Sequence, residues 1–169
     1  MEHKYFGIEI RQNEVIRIKE QMKKLDRFFD IEIGDSQNYP LQDDFYDFSY
    51  TCPPYYNLEI YSKLEGDLSN AGDYQTFLQM LWNCLKNNYK ALKKDCLSVW
   101  VVGNFRNEKT GNLQNLDGDL IKFGKLAGFK LHDIIIWWGA SKCASQRCGQ
   151  FEANRRSVRV HEYIIIFRK

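Results

Sequence analysis

The stretch from Thr51 to Ser62 reads TCPPYYNLEIYS, and it decides how the chain around it folds. Proline fixes its φ angle and has no amide hydrogen to donate, so two consecutive prolines end a regular strand or helix. The residues just before them, YDFSY, alternate aromatic and smaller side chains as a β-strand does. Loops at the carboxyl ends of strands are where open α/β sheets bind ligands. The sequence therefore predicts a rigid, aromatic, ligand-binding loop directly after a strand.

Strands and helices alternate along the rest of the chain. The predicted strands are KYFGIEI (4–10), FFDIEIGDS (28–36), FYDFSYT (45–51), LSVWVVGNF (97–105), LHDIIIWWG (131–139) and HEYIIIFRK (161–169). Amphipathic spacing predicts helices over 13–25, 73–94 and 116–129, the last of them stopping at Gly128. Several strands are uniformly apolar, which is typical of a parallel sheet covered on both faces. We predict an α/β fold, mainly parallel, with an antiparallel edge strand because no helix separates the last two strands.

The bulk composition fits one soluble domain. A chain of 169 residues with 44% hydrophobic residues is long enough for a single core, so we treat residues 1–169 as one domain. The start, MEHKYFGIEI, lacks the basic and apolar regions of a signal peptide, and no apolar run of about 18 residues occurs. We expect a cytoplasmic protein without membrane contact.

The five cysteines form neither a disulfide pattern nor a zinc motif. Their number is odd and no CxxC pair occurs, so free thiols are expected. One alternative is a metal site in which Cys143 and Cys148 join His132 or His161, but the spacing of these residues does not favour it. We expect no metal.

Charge is distributed unevenly along the chain. Residues 1–70 carry 8 Lys/Arg against 14 Asp/Glu, whereas residues 140–169 carry 7 against 2. A basic segment of this kind fits a polyanion such as DNA, with ordinary surface charge as an equal alternative.

Three strand ends carry polar residues that an α/β fold brings to one crevice. Glu9 lies at the end of the first strand, Asp35 at the end of the second, and the loop Cys52–Tyr55 at the end of the third. An acidic residue after a strand is a natural partner for ribose hydroxyls, although each carboxylate alone fits a solvated loop as well.

These residues resemble a known family over nearly the whole chain: the amino-group DNA methyltransferases that use S-adenosylmethionine, in their phage and bacterial form. GIEIRQNEV (7–15) resembles the family's ribose-binding segment and GDS (34–36) the segment that meets the adenine of the cofactor. The resemblance implies a Rossmann-like class I methyltransferase sheet. It also implies that Glu9, Ile10, Asp35 and Ser36 bind the cofactor.

TCPPYYNLEIYS resembles the catalytic loop of that family, so the resemblance implies catalytic roles for Cys52, Pro53, Pro54 and Tyr55. An enzyme that methylates an exocyclic amino group of adenine or cytosine must take the base out of the stack. Tyr55 offers an aromatic face for that base, and the Pro53 carbonyl, stiffened by Pro54, offers an acceptor for the amino hydrogens.

Cys52 stands where the family usually has Asp, Asn or Ser, and sulfur is the weaker acceptor. Two alternatives for Cys52 stay open. One is a nucleophile, as in enzymes that methylate carbon, which the order of residues disfavours. The other is a small buried strand residue with no chemical role.

The chain also departs from the family at its start. A strand and a glycine-rich cofactor loop should precede KYFGIEI, and only Met1–His3 do so here. The resemblance therefore implies a sheet without its first, central strand, between the strands that end at Glu9 and Cys52. Those two strands then either pair directly or leave edges for an upstream polypeptide or a second copy. The alternative function is a non-catalytic methyltransferase-fold protein that binds nucleic acid or a complementing chain.

Double-stranded DNA is the expected partner of the basic segment. We expect Lys142, Arg147, Arg155 and Arg156 to contact phosphates, since the arginine fork suits them. The alternative is an Arg155 paired with Glu152 on a surface turn.

Trp137 and Trp138 lie on an apolar strand, so at least one is expected in the core rather than on a stacking surface. Methylation of RNA or protein is disfavoured because the double-proline loop serves planar amino groups.

Overall fold

The computed structural model describes residues 3–24, 29–107, 110–138 and 161–169, which form a mixed α/β structure. Its helices are α1 (Gln12–Met22), α2 (Tyr74–Ala91) and α3 (Leu116–Ala127). Its strands are β1 (Tyr5–Glu9), β2 (Phe29–Ile33), β3 (Tyr46–Thr51), β4 (Leu92–Val102), β5 (Phe105–Arg106), β6 (Leu113–Gln114), β7 (Lys130–Trp138) and β8 (His161–Arg168). Every predicted strand and helix is present, with ends that move by a few residues.

The largest sheet has the order β3-β4-β8-β7. β3 runs parallel to β4, and β8 runs antiparallel to both β4 and β7. The predicted mixture of parallel and antiparallel strands is confirmed, with the antiparallel strand lying one position in from the edge. Because β8 is reversed, it begins where β3, β4 and β7 end. We call this shared border the carboxyl edge.

β1 and β2 form a separate parallel pair, in which Glu9 lies opposite Ile33. Within the described residues β1 makes no backbone ladder with β3, although the rings of Phe6 and Tyr46 lie 6.1 Å apart. Two outcomes were expected for these strands, and in the part of the chain that the structure describes both edges are left open.

The core lies between the four-stranded sheet and helices α2 and α3. Asp73 caps α2 by accepting a hydrogen bond from the Thr76 amide at 2.7 Å, which satisfies one of the free donors at a helix start. Phe77 of α2 and Phe167 of β8 are fully buried in this core. α3 ends at Gly128, as predicted, with a left-handed φ of 111° that glycine adopts without strain.

The prediction that at least one of Trp137 and Trp138 is buried is wrong. Their exposed fractions are 52% and 76%. Among the strands that the structure describes, β7 lies at an edge and pairs only with β8, so its side chains have fewer neighbours than an interior strand offers. Ile134 and Ile136 of the same strand are exposed too, and the predicted covering of both sheet faces is therefore incomplete.

Helix α2 is shorter than predicted because the chain turns extended at Leu92, where β4 begins. None of the helices in the described ranges combines the length and apolarity needed to cross a bilayer.

Candidate active site

The loop that leaves β3 is anchored in the core by its second tyrosine. Tyr56 is buried and meets the rings of Tyr74 and Phe77 at centroid distances of 5.6 and 5.7 Å. It adopts a left-handed φ of 59°, which costs a residue other than glycine about 1–3 kcal/mol. Burial of the ring offsets that cost. The turn separates the two tyrosines, so that Tyr56 enters the core while Tyr55 lines a cleft.

Tyr55 contacts two residues that are distant in the sequence, one just after β4 and one on β8. Its ring packs on Gly103, just beyond β4, where a Cβ atom would lie 2.9 Å from Cε2 of the ring. Its hydroxyl donates a hydrogen bond of 2.5 Å to Oε1 of Glu162 on β8. Burial, followed by this hydrogen bond, raises the pKa of the phenol far above its usual value. Tyr55 is therefore a neutral hydrogen-bond donor at physiological pH.

Cys52 lies one residue beyond β3 and is exposed, so the interpretation of Cys52 as a buried strand residue is wrong. Its Sγ is 3.7 Å from the Tyr55 hydroxyl oxygen. Neighbouring side chains still remove part of the water around the sulfur, which raises the pKa of the thiol, although the hydrogen bond with Tyr55 opposes that shift. A thiol kept protonated is a poor nucleophile, which counts against covalent catalysis by Cys52.

A small open cleft forms around this loop. Its volume is about 210 Å³, and its lining residues are Cys52, Pro53, Pro54, Tyr55, Leu58, Glu59 and Tyr61. Sites for drug-sized ligands usually have about 300–1,000 Å³. The cleft therefore suits one planar ring rather than a whole nucleoside-containing cofactor.

Glu9, at the end of β1, is fixed by Arg11. Its Oε1 accepts hydrogen bonds from the backbone amide of Arg11 at 3.0 Å and from the guanidinium Nε at 2.9 Å, and Oε2 accepts from the same guanidinium at 3.3 Å. Arg11 also lies over the ring of Tyr61, with its Cζ 5.4 Å from the ring centroid. A carboxylate has about four acceptor positions, so Glu9 keeps capacity for one further donor.

Asp35, just after β2, lies under a second loop. It accepts hydrogen bonds from the backbone and side-chain nitrogens of Gln37 at 2.9 and 3.1 Å. Gly66 crosses so closely that a Cβ there would lie 2.4 Å from Oδ2 of Asp35 and 2.8 Å from Cδ1 of Ile10. The structure thus brings Ile10, Asp35 and Gly66 together.

Ser36 is turned toward α2 instead. Its hydroxyl lies 3.3 Å from Sγ of Cys84, and its carbonyl accepts a hydrogen bond from Asn87 at 3.1 Å. The Ser36 hydroxyl is therefore already engaged with the helix, while Glu9 and Asp35 lie at strand ends.

The predicted catalytic and cofactor residues are linked through Tyr61. Tyr61 lines the cleft beside Cys52 and Tyr55, and it also supports Arg11, which holds Glu9. Sequence reasoning missed Arg11, Gly66, Gly103 and Glu162. Only Gly103 carried a visible pattern, a glycine directly after the apolar strand VWVV.

The residues expected to contact DNA, Lys142, Arg147, Arg155 and Arg156, lie outside the described residues, as do Cys143, Cys148 and Glu152. Among the side chains that the structure does describe, no group of three or more His, Cys, Asp or Glu is placed to hold a metal ion.

Comparison with known families finds one match. The model of the N6/N4 family described as DNA methylase matches residues 46–169, which is most of the chain and includes the loop from Cys52 to Tyr55. No curated protein matches the sequence.

Solved structures share the fold at low sequence identity. A protein from Thermus thermophilus assigned as a DNA modification methylase, in complex with S-adenosyl-L-methionine, has a TM-score of 0.61 and 19% identity, covering 99% of this chain and 56% of that one. The cytosine-N4-specific PvuII DNA methyltransferase has a TM-score of 0.60 and 18% identity, covering 80% and 47%. A SAM-dependent methyltransferase from Methanosarcina mazei has a TM-score of 0.60 and 12% identity, covering 97% and 81%. The chain thus spans about half the length of the two DNA methylases.

Proposed function

This chain belongs to the DNA methylase family, and on that premise we propose that it transfers a methyl group from S-adenosylmethionine to an exocyclic amino group of adenine or cytosine in double-stranded DNA. The reaction takes place in the cytoplasm of a bacterial cell.

One observation carries the proposal: the ring-sized cleft that Cys52, Pro53, Pro54 and Tyr55 form directly beyond β3. A base extruded from a duplex needs an aromatic face and a few fixed polar groups. The ring of Tyr55 and the rigid double proline supply both. The volume of about 210 Å³ is enough for one base.

Two carboxylates near the cleft can accept the hydrogen bonds that S-adenosylmethionine would donate. Glu9 and Asp35 are carboxylates at neighbouring strand ends, each with acceptor capacity left after its protein donors are counted. Ribose hydroxyls and an adenine amino group are the donors that such acceptors recognise. Glu9 and Ile10 would hold the ribose side and Asp35 the adenine side, with Ser36 contributing through its backbone because its hydroxyl faces α2. When bound, the cofactor supplies an electrophilic methyl group.

The chain's own residues perform the remaining work by positioning. Tyr55 stacks on the extruded base, and its protonated phenol keeps the face of the ring free of charge. The Pro53 carbonyl accepts a hydrogen bond from the amino group, which stabilises the positive charge that develops on nitrogen as the methyl carbon is attached. Holding the nitrogen in line with the methyl group supplies much of the rate enhancement. The methylated nitrogen then releases one proton to solvent water and becomes neutral.

DNA is held, in this proposal, by the basic segment that contains Lys142, Arg147, Arg155 and Arg156. Phosphate contacts position a protein without specifying sequence. Replacing Arg155 and Arg156 by alanine should weaken binding to unrelated duplexes equally and reduce the salt slope of log K by about 2. An unchanged slope in a fluorescence anisotropy titration would exclude both arginines from the interface.

The activity is tested by transfer of tritiated methyl groups from S-adenosylmethionine to duplex DNA. Tyr55→Ala removes the stacking face and should lower kcat by roughly 5- to 150-fold, the range expected for losing one base-aromatic contact. Tyr55→Phe keeps the face and should retain most of that contact. Equal rates for the wild type and Tyr55→Ala, with both folded by circular dichroism, would refute the role of the cleft.

A second candidate is a methyltransferase-fold protein that acts only with another chain, or binds nucleic acid without catalysis. The open edges of β1 and β3 favour it, since each strand has a free row of backbone groups within the described residues. Phe48 and Tyr50 of β3 are 56% and 65% exposed beside that opening. A strand from an upstream polypeptide or from a second copy would pair with both edges.

A further inference from the structure

We propose that Glu162 is a positioning residue for the base-binding tyrosine and that Gly103 is the surface on which that tyrosine rests. The inference rests on the proposed function, in which Tyr55 stacks on the target base. Neither residue belongs to the loop that carries Tyr55: Glu162 lies on β8, and Gly103 directly follows β4.

The contact begins with the register of the sheet. Val102 of β4 lies opposite Tyr163 of β8, so Glu162 lies beside the end of β4, where Gly103 follows. β8 runs antiparallel and therefore starts at the carboxyl edge. An acidic residue at its second position consequently lies at the same border as the loop that follows β3.

Gly103 supports the ring because it has no side chain. A Cβ would lie 2.9 Å from Cε2, 3.4 Å from Cδ2 and 3.5 Å from Cζ of Tyr55. The ring of Tyr55 therefore occupies the space that a side chain at position 103 would need. A larger residue would displace the ring from its place in the lining of the cleft.

Glu162 fixes the remaining freedom of the ring. Contact with a glycine alone leaves a tyrosine free to rotate about its side-chain torsions. The hydrogen bond of 2.5 Å from the Tyr55 hydroxyl to Oε1 of Glu162 restricts that rotation. Bonds to a charged acceptor are stronger than bonds between neutral groups. Because Tyr55 lines the cleft, its ring is held in place there before a base arrives, which lowers the ordering cost of binding.

The test places 3-fluorotyrosine at position 55 and records its fluorine resonance without cofactor or DNA. Glu162→Ala should move the resonance toward that of the urea-unfolded protein, because the ring loses its fixed orientation. Gly103→Ala should also move it. The control is Glu32→Ala on β2, which removes a carboxylate that accepts a hydrogen bond from the Tyr39 hydroxyl and should leave the resonance unchanged.

A Glu162→Ala resonance identical to the wild type would overturn the proposal. If Glu162→Ala does not fold, Glu162→Met serves in its place, since methionine has nearly the same length without the acceptor oxygen. The spectrum needs no catalysis, so its failure is distinct from a failure of the proposed function, which would appear as absent methyl transfer in a protein with a well-ordered Tyr55.

Kinetics separate positioning from general stability. Glu162→Ala should lower kcat for methyl transfer by about 10- to 100-fold, with little change in KM for S-adenosylmethionine. Glu162→Gln keeps an acceptor oxygen and should recover activity to within about threefold of the wild type. An equal loss in both variants would show that Glu162 acts otherwise than by holding the hydroxyl.

Discussion

Arg11 holds the carboxylate of Glu9 with three hydrogen bonds of 2.9 to 3.3 Å, at the end of the first strand. The two side chains are 31% and 23% exposed, so the pair is partly shielded from water. This contact orients the acid that we propose to meet the cofactor ribose. It also ties that acid to Tyr61 and hence to the cleft.

Arg11→Ala should weaken S-adenosylmethionine binding by about 10-fold, because Glu9 loses its fixed orientation and must be ordered by the ligand. Arg17→Ala is the matched control, since Arg17 forms a similar pair with Glu14 on α1. Isothermal titration of the cofactor measures both. The same affinity in Arg11→Ala and Arg17→Ala would show that the pair has no part in the site.

Gly66→Ala should lower cofactor affinity by about 10- to 100-fold. The added methyl group would lie 2.4 Å from Oδ2 of Asp35 and would displace either the loop or the carboxylate. Gly72→Ala provides the comparison, since nothing lies within 4 Å of a Cβ at that position. Isothermal titration of S-adenosylmethionine compares the affinities of the two variants. Equal affinities would show that Asp35 is not part of the cofactor site.

Cys84 should make stability fall at alkaline pH. Burial raises the pKa of its thiol from 9.0 to about 12, so the folded state holds its proton over a range in which the unfolded chain releases it. The stabilisation is present below pH 9 and is lost between pH 9 and about 12, by up to about 1.4 kcal/mol per pH unit.

Urea unfolding from pH 8 to pH 10.5 measures this slope, with Cys84→Ala as the variant that lacks the thiol. The difference in unfolding free energy between the two proteins should shrink as the pH rises. A difference that stays constant over the range would contradict the shifted pKa.

The open edge of β3 should mediate self-association. Phe48→Ser combined with Tyr50→Ser removes two exposed aromatic rings beside that edge and should weaken association by at least about 10-fold. Leu126→Ser on α3 is the control, because Leu126 is 63% exposed and lies on a helix. Sedimentation velocity at several concentrations separates the variants, and identical behaviour of all three proteins would exclude a second copy from this edge.

Local patterns predicted the elements of the fold but not their contacts. The stop of α3 at Gly128 follows from the left-handed preference of glycine, and the end of β3 before Pro53 follows from the geometry of proline. The two tryptophans of β7 misled the prediction because edge position depends on strand order, which no short pattern contains. An apolar strand looks the same in the sequence at the centre of a sheet and at its edge.

The residues of the candidate site likewise fall into those that a local sequence pattern predicts and those that it does not. Cys52 to Tyr55 were visible because four consecutive residues carry the motif. Glu162 was not, since it meets Tyr55 only through the register of β4 and β8, across 107 positions of the chain. Gly66 likewise has a role only because the loop that contains it crosses Asp35. Contacts of this kind depend on tertiary structure and leave no local mark.

The identity of the methylated atom tests the central claim most directly. Duplex DNA is incubated with the protein and labelled S-adenosylmethionine, digested to nucleosides, and analysed by liquid chromatography with mass spectrometry. We predict label in N6-methyldeoxyadenosine or N4-methyldeoxycytidine, and its loss in Tyr55→Ala. Label in 5-methyldeoxycytidine, or no labelled nucleoside from a folded protein, would contradict amino-group methylation at this cleft.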